Sequence, residues 1–155
     1  MEILAALALS AVSLVAVASP ADAATTTTVD CSAGPVTLRG SGETYALTGD
    51  CSRVTVAGSN LRVTLGSAEK VVLRTSTSRL RADDAGVLRV TGATNRITVA
   101  KARSLTLRGA SNRVALTRVP TVTVRGASNR VVVRQGRTQV KVVGASNVVT
   151  VPKMR

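Results

Sequence analysis

The six-residue phrase Gly-Ala-Ser-Asn-Arg-Val stands at 109–114 and again at 126–131, with close variants Gly-Ala-Thr-Asn-Arg-Ile at 92–97 and Gly-Ala-Ser-Asn-Val-Val at 144–149. The asparagines of these copies, Asn95, Asn112, Asn129 and Asn147, are spaced 17, 17 and 18 residues apart. A period this short has no room for the paired helices of the common helical repeats. It does match one turn of a coiled β-solenoid. Carried toward the amino end, the same interval places equivalent corners at Ser78, Leu61 and Glu43, so the coils start early and run without a break.

Within a coil the apolar residues alternate. Val114 and Leu116 are separated by Ala115, and Val122 and Val124 by Thr123, the period of two that a half-buried strand requires. Two short strands per coil are therefore expected. Stacked in register they give four aliphatic columns: Tyr45 to Val149, Leu47 to Val151, Val36 to Val140 and Leu38 to Val142. The expected fold class is all-β, a single-stranded parallel β-helix of about seven coils of 17 to 18 residues. At roughly 4.8 Å per coil it is a rod about 34 Å long. The repeat itself does not set the hand, and the crossover preference favours a right-handed coil.

Composition agrees with a thin interior. Phe and Trp are absent, Tyr45 is the sole aromatic residue, and the apolar mass is mostly Val, Ala and Leu. A thicker globular core would normally use large rings. Val and Thr also favour strands, because a branched Cβ packs well on a pleated surface.

The first residues differ in kind. An apolar run from Ile3 to Ala18 precedes Ser19-Pro20-Ala21-Asp22-Ala23, where small residues fit cleavage after Ala23. Residues 1–23 are thus expected to be a secretory signal, and 24–155 a solenoid domain that is secreted or held in the cell envelope, with no stable membrane span once the signal is removed. The amino end carries Glu2 and no basic residue, a departure from the usual signal. Cys31 and Cys51 each sit in an Asp-Cys-Ser phrase, as equivalent points of successive coils would. Stacking puts them within disulfide reach, and an oxidising compartment would keep the bond closed.

With its repeats, paired Asp-Cys-Ser phrases and export segment, the chain after the signal resembles the secreted actinobacterial repeat family known as domain of unknown function 3060. The resemblance implies a parallel β-helix and an exported location and adds nothing about mechanism. Leu61 and Ser78 depart from the corner asparagine, and Thr75-Ser76-Thr77-Ser78 replaces the glycine-led phrase, so the asparagine ladder is expected to weaken in those coils. In the regular coils Asn95, Asn112, Asn129 and Asn147 are expected to form it, each side-chain amide bonding the next.

The outward residues are basic. The chain holds 21 Lys and Arg against 8 Asp and Glu, a net charge of +13 that rises when Glu2 and Asp22 leave with the signal. The residue after the corner forms a column, Arg62, Arg79, Arg96, Arg113 and Arg130. A second, broken column runs Arg39, Arg74, Arg108 and Arg125. At 4.8 Å in water each adjacent pair repels by about 0.9 kcal/mol before salt screening, which a bound polyanion would relieve. The expected partner is an anionic envelope polymer or another polyanion. A non-binding structural repeat is the alternative. Nucleic acid is disfavoured because Tyr45 alone could stack on bases. No cofactor or metal is expected, and catalysis is not: the chain has no His, and Asp83-Asp84, its one adjacent acid pair, lacks the separation that acid and base roles need. A polysaccharide-acting enzyme is kept only as a remote alternative. The outward threonines Thr37, Thr55, Thr106 and Thr123 are interrupted by Arg89 and Lys141, so they form no uncharged crystal-binding lattice.

Overall fold

Successive coils of this chain lie directly over one another. The structure, a computed structural model, describes residues 25–153, so the expected signal segment 1–23 lies outside the described residues. Eleven strands follow in order: β1 (Thr26–Asp30), β2 (Val36–Ser41), β3 (Thr44–Ser59), β4 (Arg62–Ser76), β5 (Arg79–Ala93), β6 (Arg96–Ala110), β7 (Arg113–Arg118), β8 (Thr121–Ala127), β9 (Arg130–Gln135), β10 (Gln139–Val143) and β11 (Val148–Thr150). Every pairing is parallel, and the described residues contain no helix. Each strand pairs only with its counterparts in the neighbouring coils, which is the topology of a parallel β-solenoid.

The four aliphatic columns stack as the alternation requires. Tyr45 pairs with Val63, then Leu80, Ile97, Val114, Val131 and Val149. On the other face Val54 leads through Val71, Leu88, Leu105 and Val122 to Val140. Val54, Val71, Leu88, Leu105 and Val122 are almost wholly buried. No single coil could bury such a face alone, so neighbouring coils supply each other's core.

Two findings go beyond the alternation. First, β3 to β6 run 15 or 16 residues through both faces without interruption, where two short strands per coil were expected. A fifth buried column makes this possible. Cys51, Ala68, Ala85 and Ala102 are in register at the corner where the faces join, and small inward side chains let the chain bend while keeping its ladder bonds. The split into two strands is seen in the end coils, β1 with β2 and β9 with β10, and at β7 and β8, where Pro120 has no N–H to give.

Second, the 18-residue periods place their extra residue at this same corner. Leu47 pairs 18 residues ahead with Leu65, but Asp50 pairs with Ser67, and the irregularity falls at Gly49 with φ 79°. Gly136, with φ 87°, precedes the shift by which Val140 pairs with Val122. A glycine at positive φ absorbs one residue without disturbing either face.

The two ends differ. At the first, Cys31 and Cys51 form a disulfide with their Cα atoms 4.8 Å apart, and Leu38 and Leu47 are buried in the same core. The Tyr45 hydroxyl donates to the Glu43 carboxylate, which holds the phenol above its ordinary range. Asp30 accepts from the Ser32 backbone N–H and hydroxyl at 2.9 and 2.8 Å, and these bonds draw its carboxyl below the usual value. At the far end Val140, Val142 and Val151 stay exposed because no described coil covers them, while Val143 and Val148 continue the outward columns of Arg125 and Arg130.

Candidate functional site

The glycine-led phrase turns the chain between the two faces, and three residues of it do separate work. Its glycine brings the backbone close to the coil before. A Cβ added at Gly109 would lie 1.9 Å from the Gly92 carbonyl oxygen, and one at Gly126 the same distance from the Gly109 oxygen. Both glycines have φ above 130°, so the position excludes side chains twice over, by space and by dihedral. The residue before the asparagine is left-handed in every coil from Asn60 to Ser146, with φ between 52° and 58°, and points into solvent.

The asparagine turns inward. Asn112 is fully buried and its amide is saturated. Its Nδ2 donates to the Gly92 carbonyl at 2.9 Å and to Asn129 Oδ1 at 3.0 Å, while its Oδ1 accepts from the Asn95 backbone N–H and Asn95 Nδ2, both at 3.0 Å. Asn95 and Asn129 repeat the pattern, and Asn147 accepts from Asn129 and donates to the Gly126 carbonyl. These side chains replace the backbone bonds that a turning strand gives up, so no buried side-chain polar atom among the described residues lacks a partner.

The irregular coils solve the same problem with other groups. Thr75 and Ser78 are buried. Ser78 N–H and the Thr75 hydroxyl both donate to Asn95 Oδ1 at 3.0 Å, and the Ser78 hydroxyl accepts from the Leu61 N–H at 3.0 Å. The serine therefore carries the ladder one coil further than asparagine does. Leu61, 1% exposed, fills the asparagine position with hydrocarbon, and Asn60 takes the outward left-handed place beside it. Asn60 therefore takes no part in the ladder.

Outside this corner the arginines stand in line. Arg62, Arg79, Arg96, Arg113 and Arg130 are direct register partners and all exposed, and the column ends at Val148. Two open depressions of about 330 Å³ each run beside it, one lined by Arg62, Arg79 and Arg96, the other by Arg113 and Arg130. The second column also stacks, as Arg39, Ala57, Arg74, Thr91, Arg108 and Arg125. Neither column contains a carboxylate.

The alternation pattern missed a further gathering of cations. On the face that carries Val54 and Val71, a shallow groove of about 680 Å³ is lined by Arg53, Lys70, Arg74, Arg89, Arg108 and Arg125. Arg89 read as an interruption of a threonine column, yet it completes this basic face. The readable signal was the pairing of Arg53 with Lys70 seventeen places on.

Acidic residues keep to the early coils, and among the described residues no three His, Cys, Asp or Glu side chains meet as a metal site. Nor does any helix among them have the length and apolarity to cross a membrane. No curated protein and no solved structure matches the chain. Residues 38–76 and 84–119, two stretches of stacked coils, match the model of a family described as protein of unknown function, DUF3060, and the chain belongs to that family.

Proposed function

We propose that the mature protein is an exported binding module that holds an anionic polymer of the cell envelope along its arginine column. The observation that carries this reading is the unbroken register of Arg62, Arg79, Arg96, Arg113 and Arg130 without an intervening carboxylate. Five like charges at coil spacing oppose folding, and a bound polyanion removes that opposition. The forked guanidinium suits phosphate and carboxylate oxygens, and a rigid sheet keeps the forks in place before the ligand arrives. The basic groove on the second face adds to the long-range attraction. Signal-directed export, with a disulfide-closed first coil, would bring the module to the compartment where such polymers lie. A binding role asks nothing of the sparse carboxylates, and we read the chain as a non-enzyme.

Retention on immobilised heparin as a function of salt tests the proposal. The wild-type chain should elute late. Arg96→Ala with Arg113→Ala should elute early and reduce the slope of log affinity against log salt by about 1.4, using roughly 0.7 per contact as for single-stranded polyanions. An unchanged slope would leave the column as a solvating face of a structural rod.

A further inference from the structure

Beside the arginines runs a column that the polyanion reading does not use. Asn60, Thr77, Thr94, Ser111, Ser128 and Ser146 occupy the outward left-handed place of successive coils. Their backbone N–H groups bond across coils, as in Thr94 N–H to the Ala110 carbonyl at 3.1 Å and Ser111 N–H to the Ala127 carbonyl at 3.1 Å. Their side chains are exposed, and the hydroxyls of the five Ser and Thr residues make no hydrogen bond within the described protein.

Glycine is the easiest residue at this φ, and a β-branched threonine among the hardest. Copying of a repeat would account for one residue type, but this column holds three, Asn, Thr and Ser. What they share is a short hydrogen-bonding head kept in a strained conformation, the kind of outlier from which a functional hypothesis is drawn. The same residues line the two depressions beside the arginines: Thr77 and Thr94 face Arg62, Arg79 and Arg96, while Ser111, Ser128 and Ser146 face Arg113 and Arg130. The residues just before them, Ala93, Ala110 and Ala127, carry no more than a methyl group.

We infer that the hydroxyl column is the second half of the binding track, and that it selects a polyanion bearing free hydroxyls, a polyol phosphate chain, over a bare one. Guanidinium forks take the phosphates, and the Ser and Thr hydroxyls exchange hydrogen bonds with the polyol between them. This rests on the arginine reading above, and the two are separable by experiment.

The full chain and its variant Thr77→Gly, Thr94→Gly, Ser111→Gly, Ser128→Gly are titrated with poly(glycerol phosphate) and with inorganic polyphosphate. Glycine accepts the left-handed dihedral, so the fold should hold, and thermal unfolding checks it. The variant should bind poly(glycerol phosphate) about tenfold more weakly and polyphosphate within about twofold of wild type. Arg96→Ala with Arg113→Ala should weaken both. If the glycine variant binds both polymers as wild type does, or loses both equally, the hydroxyl inference falls while the arginine reading stands. If the arginine variant loses neither, the arginine reading itself falls. Should the fourfold variant fail to fold, Ser111→Gly with Ser128→Gly is read in the same way, with a selective loss of about threefold expected.

Discussion

At the scale of single residues, the corner glycine is the most demanding position in the chain. Gly109→Ala drives a Cβ into the backbone oxygen of Gly92 and leaves a side chain at φ 137°. It should cost about 1–3 kcal/mol, read as a lower urea midpoint at unchanged slope. A midpoint equal to wild type would mean that the corner can adopt the Thr75 arrangement, where a side chain sits at the same place without positive φ. Tyr45 gives a pH test with no competing signal, since it is the only aromatic residue. Its bond to Glu43 raises the phenol above the ordinary value of about 10. A raised folded value means that the stability tied to this bond is complete below that pH and lost as pH climbs through the shifted one. Tyrosinate absorbance should therefore rise later in the native protein than in urea. Coincident curves would show that the bond does not hold in solution.

One coil is the natural element of this fold, and the disulfide acts on the first. It closes a loop between residues 20 apart, worth about 3 kcal/mol in the chain-entropy account. Cys31→Ser with Cys51→Ser should speed amide exchange in β1 and β2 while β5 and β6 keep their protection, because each coil leans on its neighbours. Equal loss in β5 would mean the rod opens as one unit. How the coils align was legible in the sequence because a period of two and a period of 17 together leave a single register that buries Val and Leu on both faces. The stacking of Arg62 on Arg79 follows from the same register. The alanine corner escaped notice because Ala68, Ala85 and Ala102 carry little hydrophobic signal and are inward only by virtue of the bend. Ser78 signals a weakened ladder in the sequence, since nothing local marks a serine hydroxyl as the acceptor for an N–H seventeen residues away. The groove around Arg89 was hidden for a related reason: its cations come from several columns, and a face becomes visible only after the coils are wrapped.

Across the whole molecule, in-register stacking gives both strength and exposure. It repeats whatever the corner carries, whether a satisfied asparagine inside or an unpaired arginine outside, and leaves apolar valines bare at the open end. The same regularity makes length a separable property. Residues 96–112 form one complete period, and removing them joins Asn95 to Arg113 with every remaining column still aligned. Such a deletion should keep the β-rich circular dichroism spectrum, lower the melting temperature only modestly, and move heparin elution to lower salt, because Arg96, Lys101, Arg103 and Arg108 have gone with it. Removing residues 96–111 instead leaves one extra residue at the buried asparagine corner, away from any glycine like Gly49 or Gly136 that could absorb it, and should destabilise the fold far more. The protein can thus be treated as a ruler whose graduations are added or withdrawn one at a time, so that grip on a ligand becomes a matter of how many marks it spans.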